Sequence, residues 1–300
     1  MKTDFIRGII PALITPMTPT EELDEAGLRR LVDALIGRGV DGIFTLGTAG
    51  EFWALSLEEK KQVYAWTVEA ADGRVPVYVG TAANSTREAV ALAQAAQQAG
   101  ADCLSVLNPF FITPSEKEMA EHYRAIAASV DLPILMYDLP ARTGNPMSTE
   151  LILDLARSVP TIAGIKDSSG DFSRTLDLIA LAPDGFRVIM GRDTLIHTSL
   201  MHGAAGAIAA SANVVPELGV GIYRSFLAGD QGAASRYQEA LGPVRKAFGM
   251  GTHPAMLKAG AELMGLPGGP PRSPVKPLSP EDRQRLSEIL DSVSLTADAS

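Results

Sequence analysis

Short apolar runs rich in β-branched residues recur eight times along this chain, each followed by a longer amphipathic segment. The runs begin about 20 to 35 residues apart, the spacing that a strand, a helix and two turns require. They cover residues 9–14, 42–46, 75–79, 102–107, 133–137, 161–165, 186–190 and 206–209. This alternation predicts an α/β fold, a (β/α)8 TIM barrel. A doubly wound open sheet is the alternative, but it has fewer strands and a phosphate-binding loop after the first.

Helix start signals lie between the runs. Three segments begin with a serine three residues before a glutamate, the pattern of a capping box: Ser56 with Glu59, Ser85 with Glu88, and Ser115 with Glu118. From about residue 217 onward only helical periodicity remains, and a proline-rich connector interrupts it between Pro267 and Pro280. We therefore predict a barrel over residues 1–225 and a C-terminal helical extension over residues 226–300.

Charge and cysteine content exclude several classes of protein. The chain carries 26 basic and 35 acidic residues, a net charge of −9, which argues against nucleic-acid and anionic-membrane partners. Its single cysteine, Cys103, lies in an apolar run and is predicted to be a buried structural residue. One cysteine forms no internal disulfide, and no targeting segment is visible, so we expect a cytoplasmic protein.

Metal and membrane sites are not expected either. The four histidines have no metal-ligand spacing, and no Cys-x-x-Cys pair exists. The longest uncharged stretch, residues 194–216, contains two histidines, several hydroxyl side chains and an asparagine, so its hydrophobicity is too low for a membrane span.

Lys166 is the strongest catalytic candidate. It directly follows the apolar run 161–165, the sixth predicted strand, and barrel enzymes carry their chemistry at the C-terminal ends of strands. Burial lowers the pKa of a lysine amine, and a neutral amine attacks carbonyl carbons to form a Schiff base. The alternative is a lysine that clears the strand and pairs with the adjacent Asp167.

Two further sites are expected at the same end of the barrel. Tyr137 ends the fifth predicted strand, where a phenol can transfer protons, although a tyrosine there is also an ordinary core residue. Gly47, Thr48 and Ala49 follow the second predicted strand. Successive backbone N–H groups in such a loop can bind a carboxylate, and the Thr48 hydroxyl can bind it as well or relay a proton.

These motifs together resemble a known family. The sequences GTAGE at 47–51, YDLPARTG at 137–144 and GIKDSSG at 164–170, with residues 206–208 and 211–213, occur in the order and spacing of the dihydrodipicolinate synthase and N-acetylneuraminate lyase family. Its members are pyruvate-dependent class I aldolases on a (β/α)8 barrel. The chain is nearest in appearance to the aldolases of 2-keto-3-deoxy sugar acids.

The resemblance implies a role for each candidate residue. Lys166 would form an imine with a 2-keto acid, and Tyr137 would be the general acid and base. The remaining candidates would hold substrate: catalytic Thr48, with Ala49 and Gly47, at the keto acid carboxylate, Arg142 at a second carboxylate, and Ile208 in the wall. The family implies no metal or organic cofactor, a small keto acid as the partner, and a homodimer or homotetramer.

Two positions depart from the synthases of this family. Ala49 stands where they carry a second threonine, and Phe111 stands where they carry a tyrosine that completes a proton relay. The main hypothesis is therefore a lyase acting on a 2-keto-3-deoxy sugar acid. Three alternatives stay open: a 4-hydroxy-tetrahydrodipicolinate synthase, a 2-keto-3-deoxy acid dehydratase or hydratase-aldolase, and a non-catalytic keto-acid-binding protein.

Overall fold

Eight parallel strands form the centre of the computed structural model, which describes residues 3–297. They are β1 Gly8–Pro11, β2 Ile43–Thr45, β3 Val77–Gly80, β4 Cys103–Leu107, β5 Ile134–Asp138, β6 Ile162–Asp167, β7 Arg187–Met190 and β8 Gly206–Ala209. Each overlaps one predicted run. β1 pairs with β8, and a bridge from Ala12 to Phe44 brings β1 to β2 and completes the ring. The predicted TIM barrel is confirmed.

Helices surround the strands in the expected alternation. They are α1 Glu25–Gly37, α2 Leu57–Ala71, α3 Thr86–Gln98, α4 Glu116–Ala127, α5 Pro140–Thr143, α6 Thr149–Ser158, α7 Phe172–Leu181, α8 Ile196–Met201, α9 Pro216–Leu227, α10 Gln231–Ala247, α11 Ala255–Leu263 and α12 Pro280–Ala297. Within residues 3–297 no helix has the length and apolar character that crossing a bilayer requires.

Two of the three predicted capping boxes are confirmed. Ser56 and Ser115 cap α2 and α4, and the glutamate at the third helical position returns a hydrogen bond in each case. Ser85 caps α3 through the Glu88 N–H, but the reciprocal bond is absent, so the capping box predicted there is wrong. The Glu88 carboxylate instead lies 3.9 Å from the Lys60 Nζ on α2.

The C-terminal helices pack on the end of the barrel. α10 lies against α9, and α12 lies against α10 and α11. The domain boundary predicted between residues 225 and 226 falls in the last turn of α9 and stays a prediction; positions 298–300 of the predicted extension lie outside the described residues. Cys103 is fully buried in β4, as predicted.

A buried ion pair joins this extension to the loop after β2. The Lys258 Nζ of α11 lies 2.6 Å from the Glu51 carboxylate, and the two side chains are 1% and 0% exposed. Lys258 also donates to the Pro270 carbonyl at 2.7 Å, and the Arg272 N–H donates to the other Glu51 oxygen at 2.8 Å. The extension therefore anchors the loop that holds Thr48 and Ala49.

Candidate active site

A cavity of about 450 Å³ opens at the C-terminal ends of the strands. This is the face of a barrel where side chains from several strand ends meet. Six of the seven residues predicted from the sequence line it: Thr48, Ala49, Tyr137, Arg142, Lys166 and Ile208. Residues more than 150 positions apart in the sequence thus line one cavity.

Lys166 lies in β6 and is 4% exposed. Its Nζ lies 4.0 Å from the centre of the Tyr137 ring and 4.5 Å from the centre of the Phe44 ring. Burial lowers the pKa of Lys166 to about 7, and the negative charge of Asp193 opposes part of that shift. The amine is therefore substantially neutral near pH 7, the form that attacks a carbonyl.

The alternative in which Lys166 pairs with Asp167 is wrong. The Asp167 carboxylate accepts hydrogen bonds from the Ser169 N–H at 3.0 Å and the Thr175 hydroxyl at 2.8 Å. Its remaining cationic neighbour is Arg174, at 3.8 Å. Successive side chains of a strand point to opposite faces, so Asp167 faces the helix layer while Lys166 faces the cavity.

Tyr137 lies beside Lys166 because the two residues are register partners in the β5–β6 ladder. Its hydroxyl lies 3.3 Å from the Thr48 Oγ1. Burial raises the pKa of Tyr137, and hydrogen bonds with Thr48 and Ser168 partly offset the increase. The phenol therefore stays protonated at neutral pH and has a hydroxyl neighbour with which to exchange a proton.

The loop after β2 contributes Thr48 and Ala49 to the cavity lining and has two unpaired backbone donors. Leu46 has a φ of 51°, a left-handed conformation that is costly for a branched side chain and turns the chain sharply. The Gly50 and Glu51 N–H groups donate within the turn, at 3.0 and 3.3 Å. Across residues 3–297, the N–H groups of Thr48 and Ala49 meet no acceptor. These amides are free to bind an anion.

Gly47 does not line the cavity. It lies behind the loop, where a Cβ would overlap the Phe44 ring. Gly47 therefore lets the loop pack on the ring that also contacts the Lys166 amine. We expect its effect on substrate to pass through the position of Thr48.

Arg142 and Ile208 complete the predicted set of lining residues. Arg142 lies on α5, directly after β5, with an exposed side chain. Ile208 is buried in β8. A second, smaller cavity of about 280 Å³ shares Thr48 and Arg142 with the first and extends toward Trp53.

Four charged or titratable lining residues were not among the candidates: Arg192, Asp193, Arg245 and His253. Arg192 and Asp193 directly follow β7, so the strand-end rule that selected Lys166 applied to them as well. Asp193 is buried and accepts from the Ala210 and Ser211 N–H groups at 3.2 and 3.3 Å. Arg245 comes from α10 and His253 from the following loop, for which the sequence had no such signal.

Phe111 lies away from the cavity. Its side chain is 92% exposed and its φ is 74°. Phe110 instead turns inward, and its ring centre lies 5.9 Å from that of Phe52. Within the described range 3–297, no group of three or more His, Cys, Asp or Glu residues is placed to hold a metal ion.

The rate of imine formation should report the lowered pKa of Lys166. A folded-state pKa of about 7 means that the neutral amine increases with pH up to that value and then saturates. We expect the initial rate of pyruvate capture to rise about tenfold per pH unit between pH 5 and 6.5 and to level off above pH 8. Rapid mixing at each pH, followed by a borohydride quench at one fixed pH and intact-mass analysis, measures it. A rate that still climbs beyond pH 9 would mean an ordinary lysine.

Comparison with known proteins finds relatives that match almost the whole chain. Residues 5–293 match the dihydrodipicolinate synthetase family. The 4-hydroxy-tetrahydrodipicolinate synthase of Methanoculleus marisnigri is 38% identical over 289 residues, 95% of this chain and 99% of the relative. That of Salinibacter ruber is 38% identical over 295 residues, 97% of this chain and 98% of the relative.

Solved structures agree with the sequence match. The crystal structure of YagE from E. coli K12, a prophage protein of the dihydrodipicolinic acid synthase family in complex with pyruvate, superposes with a TM-score of 0.93 at 34% identity, over 96% of this chain and 99% of that one. Dihydrodipicolinate synthase from Aquifex aeolicus superposes with a TM-score of 0.92 at 32% identity, over 97% of this chain and 99% of that one.

Proposed function

The chain belongs to the dihydrodipicolinate synthetase family of pyruvate-dependent lyases, and on that premise we propose that it condenses pyruvate with aspartate semialdehyde. The observation that carries the proposal is the Lys166 amine, buried at the cavity wall beside the Tyr137 ring. The relatives named as 4-hydroxy-tetrahydrodipicolinate synthases favour this substrate pair over the 2-keto-3-deoxy sugar acid preferred in the sequence analysis.

The first half of the reaction needs only groups that line the cavity. The neutral Lys166 amine attacks the keto carbon of pyruvate and forms a carbon–nitrogen bond. The oxygen takes one proton from the attacking nitrogen and a second from Tyr137 and leaves as water, and an imine remains. The Tyr137 phenolate then takes a proton from the methyl group, and the electron pair of that C–H bond moves into the imine, which becomes an enamine. Because the imine is itself the electron sink, the proposed reaction uses no metal or organic cofactor.

The second half joins two carbon skeletons. The enamine carbon attacks the aldehyde carbon, and the new alkoxide takes its proton from the Tyr137–Thr48 pair, whose oxygens lie 3.3 Å apart. The amine of the aspartate semialdehyde unit then replaces the Lys166 nitrogen at the imine carbon. This closes a ring and frees the enzyme. All bonds to Lys166 made in the first half are broken in the second.

Two carboxylates need separate partners in this scheme. We assign the carboxylate of pyruvate to the Thr48 and Ala49 N–H groups, which have no acceptor within residues 3–297. The aspartate semialdehyde carboxylate is assigned to Arg142, whose planar guanidinium suits a bidentate contact. We further propose a cytoplasmic homodimer or homotetramer, which light scattering after size exclusion tests.

Aldol cleavage of a 2-keto-3-deoxy sugar acid is the second candidate. Phe111 favours it, because it has no hydroxyl and stands 92% exposed where the synthases carry a tyrosine. A lyase that relies on Tyr137 and Thr48 alone for proton transfer does not need that third hydroxyl group. A dehydratase would use the same imine without cleaving a carbon–carbon bond.

Parallel assays with product identification decide between these candidates. We expect pyruvate and aspartate semialdehyde to give a product whose mass equals the sum of the two minus water. Under the same conditions 2-keto-3-deoxygluconate should be turned over at least about tenfold more slowly, judged by kcat/KM. Faster formation of pyruvate and glyceraldehyde would support the aldolase instead, and loss of water alone the dehydratase. Trapped imine without turnover on any substrate would indicate a non-catalytic protein.

A further inference from the structure

The cavity carries positive charge that has no assigned partner on either proposed substrate. Its lining includes Arg142, Arg192 and Arg245 together with Lys166, against one acidic side chain, Asp193. The chain as a whole has a net charge of −9, so this clustering runs against the overall composition. Cationic walls in a partly enclosed site concentrate anionic ligands. The excess therefore bears on which keto acids the site accepts.

Arg192 is held in place by backbone carbonyls. Its Nε donates to the Ser168 carbonyl at 3.0 Å and its Nη2 donates to the Ser169 carbonyl at 3.2 Å. No carboxylate forms an ion pair with it within residues 3–297. Two neutral acceptors fix the guanidinium at the cavity without neutralising it, so its charge remains available to a ligand.

Arg245 reaches the same wall from α10. Its guanidinium lies over the Phe248 ring, 4.4 Å from the ring centre, and its Nε lies 4.0 Å from the Asp193 carboxylate. That separation is too long for a hydrogen bond, so Asp193 offsets part of the charge without occupying the donors. Arg192 and Arg245 therefore outweigh Asp193 on this side of the cavity.

The pKa of His253 is affected by the same positive charges. Burial lowers the pKa of His253, and together with the positive charges of Arg142, Arg245 and Lys166 it brings that pKa to about 4. His253 is therefore neutral near pH 7 and adds no charge of its own. The positive field comes from fixed guanidinium groups.

Arg192 and Arg245 lie on a different side of Lys166 from the pyruvate carboxylate site. Thr48 and Ala49 follow β2, whereas Arg192 follows β7 and Arg245 packs beside it from α10. β6, which carries Lys166, adjoins β7 in the ring. A keto acid bound at the Thr48 loop and joined to Lys166 therefore has room to extend toward the two arginines.

We propose that Arg192 and Arg245 bind a second carboxylate at the far end of the substrate, so that the site selects 2-keto diacids over 2-keto monoacids of the same length. This inference rests on the imine chemistry proposed above and deepens it by naming the substrate class. Arg142 holds the carboxylate of aspartate semialdehyde in the proposed condensation, so the Arg192 and Arg245 pair is a separate carboxylate site of the same cavity. A cavity of about 450 Å³ exceeds what pyruvate alone fills.

Matched pairs of keto acids test the proposal without any variant. The probes are 2-oxoadipate against 2-oxohexanoate, and 2-oxoglutarate against 2-oxopentanoate; within each pair a carboxylate replaces a methyl group. The measurement is the concentration that gives half-maximal borohydride capture on Lys166, read by intact mass and peptide mapping. We expect at least one diacid to reach half-maximal capture at a concentration about tenfold lower than its monoacid partner. Equal concentrations in both pairs would overturn the proposal.

Variants then locate the second carboxylate. The diacid preference is the ratio of the half-maximal capture concentrations of monoacid and diacid. Arg192→Gln and Arg245→Gln should each reduce this ratio about tenfold. Arg236→Gln is the matched control, because Arg236 is an exposed residue of α10 that does not line the cavity, and it should keep the preference. A preference that disappears only in Arg142→Gln would overturn the assignment. Circular dichroism melting of each variant identifies one that fails to fold, for which Arg192→Lys or Arg245→Lys is substituted.

Failure of this inference is distinguishable from failure of the proposed function. If pyruvate is captured on Lys166 and diacids show no advantage, only the second carboxylate site is refuted. If no keto acid is captured at all, the imine chemistry itself is refuted.

Discussion

Lys166→Ala is expected to abolish covalent capture of pyruvate and to reduce condensation to the uncatalysed rate. No other residue can take over the step, because the reaction requires a neutral amine at this point of the cavity. Burial lowers the pKa of Lys166 to about 7, whereas an exposed lysine near its ordinary pKa is almost fully charged at neutral pH. The measurement is intact mass after incubation with pyruvate and sodium borohydride, with peptide mapping to locate the adduct.

Lys61→Ala is the matched control for this experiment. Lys61 is an exposed lysine of α2, paired with Glu58 at 2.9 Å and remote from the cavity. The control should acquire one pyruvyl adduct on the Lys166 peptide, as the wild type does. An adduct that survives in Lys166→Ala, or that maps to another lysine in the wild type, would remove Lys166 from its assigned role.

Lys258→Met is expected to destabilise the fold by about 3–5 kcal/mol, because it leaves the Glu51 carboxylate charged and unpaired in the interior. Lys258 and Glu51 lie 2.6 Å apart and are almost completely buried. Burial lowers the pKa of Lys258, and the nearby Glu51 charge opposes that shift, so the pair holds the charged form of the amine in place. Urea denaturation followed by circular dichroism measures the loss.

Two further variants separate pairing from packing. Lys61→Met removes an exposed amine from the Glu58 pair and should leave the unfolding midpoint unchanged. The double variant Lys258→Met with Glu51→Gln should regain part of the lost stability, because no unpaired charge then remains. If the losses of stability in the two single variants instead add up in the double variant, the two side chains do not act as a pair.

Lys258→Met should also weaken pyruvate binding, although Lys258 does not line the cavity. Glu51 ends the turn whose Thr48 and Ala49 line the cavity, and Lys258 belongs to α11 of the extension. Loss of the ion pair releases the turn, so at a temperature where the variant is folded the KM for pyruvate is expected to rise. The extension thus supports the loop to which we assign the carboxylate of pyruvate.

Local patterns in the sequence were enough to predict the barrel and to select Lys166 and Tyr137 as candidates, and the resemblance to a known family gave these residues their expected roles. Each strand is short, apolar and followed by a helix signal, and such features depend only on neighbouring residues. Lys166 and Tyr137 could be identified because each stands at the end of a run, and parallel strands place their C-terminal ends on one face. Ser85 shows where local pattern fails, because Glu88 lies toward Lys60 on another helix and leaves the capping box open.

Only the tertiary structure decided how these parts form one site. The burial that lowers the pKa of Lys166 comes from rings on other strands, Phe44 and Tyr137, and no local pattern measures burial. Arg245 and Lys258 come from helices whose periodicity specifies a buried face but not which strand end that face meets. The local sequence determined the elements, because apolar periodicity and helix capping depend on neighbouring residues. The cavity, its charge and its supports are long-range contacts, and these exist only once the barrel is closed.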